Sequence, residues 1–435
     1  MKVAILGNMN NNGFALLRYL RDEGIDAELI LFSDDGAGVS AHFSIQADTW
    51  NVDKWHPYIK QIQITNNFET AVSAKLFYRW VFKLAHICRV VMGHKNFSDS
   101  QPIDKKERAQ LVRLAQNYDV LIGSGPSPAI FESLGLQLSA FFPYSIGIEF
   151  INEPNFSRYK YSKNPFVRFL ALEMYRLQSS GIQKCKYVIA ADDSEKTKKS
   201  ITELGVESLN LAIPIVYPYD QPETGQSLKS LQPTIGEIKG RDFVVMCHSR
   251  HLWVKKPQFS ESEWKKISKH TEWLIQGFAS FRDCRSEARP ALVLFEYGND
   301  WQETKALVKS FGLEQFVVWV PLMPRREILS LIEYCNVGTT EFYEDDVFPG
   351  GAAWEYMAIG KPVINGPFDS DNHFEQRFGY PPPPLRIADS AAKITAHLID
   401  LYDDSHRCAE EGNDMRLWFE RYNGHMAVRK IIDLF

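Results

Sequence analysis

FPGGAAWEYMAIGKPVIN, residues Phe348 to Asn365, is the stretch whose reading decides the fold. Gly350 and Gly351 let the backbone approach a ligand with no Cβ in the way, and they open a helix whose first N–H groups lack intrahelical partners. Such a helix start attracts anions and suits a diphosphate. Glu355 follows about one turn into the helix, within reach of a ribose hydroxyl pair. Gly360 ends the helix, and Lys361-Pro362 leads into a buried strand.

Working outward, short apolar runs alternate with helical periodicity through the whole second half. Strands are expected at Phe243–Cys247, Leu292–Phe295, Val317–Val320, Val337–Thr339 and Val363–Ile364. The first half opens with a β-α-β pattern: Lys2–Leu6, a periodic run through Phe14, Leu17 and Leu20, then Ala27–Phe32. Further strands are read at Val120–Ile122, Ala140–Tyr144 and Tyr187–Ala190, with helices from about Asn164 to Gln178 and from Ser194 to Leu204. Alternation of this kind predicts parallel sheets. Residues 217–240 are rich in Pro, Gly, Ser and Gln and mark a linker. The expected division is therefore an N-terminal Rossmann-like domain over 1–216, the linker at 217–240, a C-terminal domain over 241–405, and closing amphipathic helices over 406–435.

The composition agrees with two α/β domains. A chain of 435 residues exceeds one ordinary core, and 45% hydrophobic with 24% charged residues is the balance of a globular protein. A net charge of -5 gives no global basic field, so nucleic acid is not an expected partner. The six cysteines are scattered with no metal-ligand spacing, which reads as free thiols in a reducing cytoplasm. MKVAILG runs straight into polar NMNNNG, unlike a signal peptide, and no run reaches the roughly 18 apolar residues a membrane span needs. A cytoplasmic location follows, with one qualification: Lys75–Lys95 interleaves five cations with aromatic residues and contains no acid. It reads either as a core-packed helix with a basic face or as a peripheral anchor on the inner membrane surface.

The run FPGGAAWEYMAIGKPVI resembles the signature of retaining glycosyltransferases of the GT-B fold, the large GT4 family in particular. That resemblance implies two doubly wound Rossmann-like domains facing a cleft, with C-terminal helices packing back toward the N-domain. It implies that Glu355 holds the nucleotide ribose and that Gly350 and Gly351 face the donor's sugar and phosphates. The family's first Glu, eight positions earlier, is replaced by Val347, so the neighbouring Asp346 is the candidate carboxylate for the donor sugar. In CHSRHLWVKK, Arg250 and Lys255 have the spacing of the family's Arg–Lys pair, whose two fixed cations stabilise a departing diphosphate without a metal. Lys256 stands where the family usually has Gly. Gly13, after the Asn10–Asn12 run, resembles the family's glycine-rich first loop. No N-domain histidine among His42, His56, His86 and His94 matches the one many relatives place beside the transferred sugar.

The activity implied is transfer of a sugar from a nucleotide-sugar donor, UDP- or GDP-linked rather than CMP-linked, to a glycan, lipid-linked or other envelope acceptor, with retention and with no metal or cofactor. A rival reading is a catalytically silent carbohydrate-binding or scaffold subunit, since Val347 removes one expected contact. A dinucleotide site is disfavoured because Gly7 and Gly13 are separated by five residues, unlike GxGxxG. A sugar phosphorylase or epimerase would need a phosphate-binding or acid/base set that the sequence does not display.

Overall fold

The computed structural model describes residues 1–33, 45–63, 105–143, 165–190, 195–211, 215–220, 229–369 and 373–435. Segment 75–95, the candidate membrane contact, lies outside the described residues, as do His42, His86 and His94. Among the described residues no helix is long and apolar enough to cross a membrane.

The chain divides into two compact units, one comprising Met1–Ile45, Val52–Ile213 and Ala427–Phe435, the other Gln46–Asn51 and Pro214–Met426. In the first unit β1 (Lys2–Leu6), β2 (Asp26–Ser33), β3 (Ile59–Gln63), β4 (Val120–Gly123), β5 (Ala140–Phe141), β6 (Tyr187–Ala190) and β7 (Glu207–Asn210) form a sheet of order β3-β2-β1-β4-β5-β6-β7. In the second, β8 (Phe243–Cys247), β9 (Pro290–Phe295), β10 (Val317–Val320), β11 (Val337–Thr339), β12 (Val363–Asn365) and β13 (Arg386–Ile387) take the order β10-β9-β8-β11-β12-β13. Every pairing is parallel. Parallel strands covered by helices on both faces read as continuous apolar runs. FVVMC and PALVLF are of that kind, and every residue in them is buried.

In both sheets the order reverses beside the first strand, between β1 and β4 and between β8 and β11. Ligands of doubly wound sheets bind outside the carboxyl ends of the strands at such a reversal.

The expected boundaries differ from these units in two places. Residues 217–240 are not a bare linker, because Gln232–Ile238 is a helix of the second unit. Pro233 falls in its first turn, where a missing N–H costs nothing, so a Pro-rich composition concealed it. Nor does the chain leave the second unit at 406. Helix Ser405–Tyr422 packs there, Trp418 stacks on Trp354 at 5.8 Å, and a Cβ on Gly412 would stand 2.3 Å from the Gly360 carbonyl oxygen. Of the closing segment 406–435, only Ala427–Phe435 belongs to the first unit.

Candidate functional site at the β8–β11 reversal

Gly350, Gly351 and Glu355 lie on the helix that follows β11, and Glu355 meets the segment that follows β8. Helix Gly351–Ala358 follows β11, with Gly350 as its N-cap in extended geometry and no side chain capping it. A Cβ on Gly350 would lie 2.8 Å from Glu341 Oε2 and 3.1 Å from Oε1. A buried carboxylate therefore packs directly against the helix start, where a larger residue would have to displace it.

Glu355 is not a solvated helix residue. It is buried, its Oε2 stands 2.6 Å from His248 Nε2, and its Oε1 stands 2.8 Å from Arg325 Nε. Burial raises its pKa, but Arg325 and His248 outweigh burial and hold the carboxyl below its usual value. Arg325, the first residue of helix Arg325–Ile332, also lies 3.3 Å from Asp48 Oδ1. On the other side of the ring, His248 Nδ1 meets the Tyr356 hydroxyl at 2.8 Å, and that hydroxyl donates to the Met246 carbonyl at 2.9 Å. Gly338 in β11 makes this possible, since a Cβ there would fall 2.2 Å from the Tyr356 ring.

A second buried pair lies beside it. Lys269 Nζ donates to Glu341 Oε1 at 2.6 Å, with about a tenth of each side chain exposed. Glu341 follows β11, and burial raises its pKa while the Lys269 charge and hydrogen bond hold it ionised and lower than usual. Among the described residues its Oε2 has no hydrogen-bond partner. Lys269 is fixed by its N–H to the Leu252 carbonyl at 2.7 Å, and its own carbonyl accepts from the Phe342 N–H at 3.2 Å. It was not legible as a site residue, because the segment after β8 carries an extra helix, Glu261–Ile267, with a full capping box at Ser260 and Glu263. The signal available was its place just before the amphipathic helix Thr271–Cys284.

The other candidates are placed as follows. Arg250 is exposed, and its side chain makes no hydrogen bond or ion pair among the described residues. Lys255 is exposed and bonds Glu261, so a surface carboxylate already answers its charge. The segment between them is anchored by Asp300, whose Oδ2 accepts the N–H groups of Trp253 and Val254 at 2.8 and 2.9 Å while Lys256 bonds Oδ1 at 2.7 Å. Asp346 is exposed, and the Val347 N–H donates to the Pro367 carbonyl. Gly13 belongs to the first unit, where a Cβ would stand 2.3 Å from the Gly7 carbonyl oxygen, so close helix–strand packing requires it. His56 is exposed.

No family model and no curated protein matches the chain in sequence. Solved structures do match over its full length. A structure of Anabaena HepE in complex with UDP and glucose is 14% identical, covers 100% of this chain and 98% of its own, and has a TM-score of 0.54. The chain has the GT-B fold. A glycosyltransferase from Rickettsia africae is 13% identical over 100% and 97% of the two chains at a TM-score of 0.54. A variant of Staphylococcus aureus TarM, in complex with fondaparinux, α-GlcNAc-glycerol and UDP, is 12% identical over 100% and 99% at 0.52. At such identities the likeness in GT-B architecture is one of fold.

Proposed function

We propose that this protein is a glycosyltransferase that takes a sugar from a nucleotide-sugar donor bound in its second unit. The observation that carries the reading is the placing of Lys269, Glu341 and Glu355 at one glycine-opened helix, with Arg250 in the loop after β8, at the strand-order reversal where such sheets bind nucleotides. The unpaired N–H groups of the helix start and the exposed Arg250 receive the diphosphate. Glu355, ionised and held from two sides, receives the ribose hydroxyls. Lys269, rather than Lys255, is the second cation of the site, because Lys269 lies beside the helix start while Lys255 is engaged by Glu261. Fixed cations offset the charge that develops on a departing diphosphate.

The resemblance to retaining enzymes supports transfer with retention and without a metal, from a UDP- or GDP-linked donor. The solved structures that hold UDP support a uridine nucleotide as the first to test. A glycan or lipid-linked acceptor is favoured by the basic, aromatic composition of 75–95.

Calorimetry against UDP, GDP, CMP and their sugar conjugates, followed by assays for donor hydrolysis and transfer, tests the reading. Binding of a nucleoside diphosphate with turnover of its sugar conjugate is the expected result. Failure to bind any nucleotide refutes the proposal. Binding without turnover on any acceptor favours the silent subunit.

A further inference from the structure

An empty diphosphate site of this design would leave a helix start and a buried cation facing one another with no anion between them. Here an anion is present, and the protein itself supplies it. Glu341 is 8% exposed, pairs with Lys269 through Oε1, and brings Oε2 to 2.8 Å from the point where a Cβ on Gly350 would stand. Gly350 is the N-cap of helix Gly351–Ala358, the end at which a helix favours negative charge. Among the described residues Oε2 is cut off from water and meets no donor, an arrangement that costs free energy in a folded core. A residue selected only for stability would have its second oxygen satisfied. Replacing a buried ion pair by apolar groups of similar volume is often neutral or stabilising, which leaves function as a reason to keep one.

We propose that Glu341 is an internal stand-in for the donor's diphosphate, standing against Gly350 at the helix start and neutralising Lys269 until a diphosphate enters, takes over Lys269 and accepts from the helix-start N–H groups. This rests on the nucleotide-sugar reading above and adds the order of events at that site. Arg250, exposed and unengaged among the described residues, meets the incoming anion first. Lys269 is released to it only as Glu341 withdraws. Buried charge stays balanced in both states, because one anion replaces another beside Lys269.

Removing a residue that touches the donor weakens binding; removing one that competes with the donor strengthens it. Isothermal titration of UDP, GDP and inorganic pyrophosphate into wild type and Glu341→Gln is the test. The glutamine variant is expected to bind about tenfold tighter, and adding Lys269→Met should abolish the gain. Equal or weaker binding by folded Glu341→Gln overturns the proposal. Should that variant fail to fold, Glu341→Asp draws the carboxylate back from Gly350 and must shift affinity in the same direction, or the proposal falls. A diphosphate-bound crystal structure of the wild type reads the same point: Lys269 should contact phosphate and have left Glu341, and a retained 2.6 Å pair overturns it. Wild type that binds none of the three probes refutes the nucleotide reading as well, whereas wild-type binding with no gain in the variant refutes this inference alone.

Discussion

Lys269 and Glu341 are 72 residues apart in sequence and 2.6 Å apart in space, with about nine-tenths of each side chain removed from solvent. Cutting one partner from such a pair strands the other as a buried charge. Lys269→Met should therefore destabilise the fold by about 3 kcal/mol in urea denaturation, and Lys269→Met with Glu341→Gln should recover most of that loss. Equal stability of single and double variants would show that the pair is solvated.

Glu355 is read as a ribose contact supported by His248 and Arg325. Glu355→Gln should weaken UDP binding by about tenfold to a hundredfold while leaving inorganic pyrophosphate near wild type, because only the nucleotide has hydroxyls to offer. His248→Ala should weaken UDP in the same selective manner and less severely. Parallel losses for both ligands would place Glu355 at the phosphates or in the scaffold.

Arg250 and Lys255 share the spacing of a cation pair, but only Lys255 is engaged by a carboxylate among the described residues. Arg250→Ala should lower kcat/KM by about a hundredfold if it stabilises the leaving diphosphate. Lys255→Ala, which removes only an exposed ion pair, should stay within about twofold. A large loss at Lys255 would restore the sequence-based assignment.

Burial pushes the His251 imidazole down to about 4 from its ordinary 6.5. Unfolded chain takes up a proton near pH 6.5, whereas the folded ring resists protonation until about pH 4. Stability should therefore fall as pH drops through that window, by up to about 3 kcal/mol from this residue. Denaturant titrations at several pH values would show it, and His251→Asn should flatten that part of the profile.

Gly338 admits the Tyr356 ring against β11 and so lets its hydroxyl reach His248 and Met246. Gly338→Val should cost about 2 kcal/mol or more and weaken UDP binding through Glu355. Full stability in that variant would mean the ring has another place to go.

How much of this was legible in the sequence varies from element to element. β1, β6, β8, β10 and β11 coincide with their apolar runs, because strands buried on both faces must be apolar throughout. β3, β7 and β13 have no apolar run to mark them. β3 and β7 lie at the edges of the first sheet and β13 at an edge of the second. The ESLN of β7 is exposed to partly exposed, so no apolar run marks it. The helix at Gln232–Ile238 was hidden by a composition that usually means a linker.

The sequence by itself determined the two α/β units and the glycine-opened helix of FPGGAAWEYMAIGKPVIN that carries Glu355, because apolar periodicity and turn chemistry are local and leave their mark over a few residues. Only the tertiary structure decided the company those residues keep. The order β10-β9-β8-β11-β12-β13 sets β8 beside β11 and so brings His248 to Glu355 across 107 residues and Lys269 to Glu341 across 72. The hydrogen bonds and charges that define the site act through space over about 3 Å, and no spacing along the chain encodes which strands become neighbours.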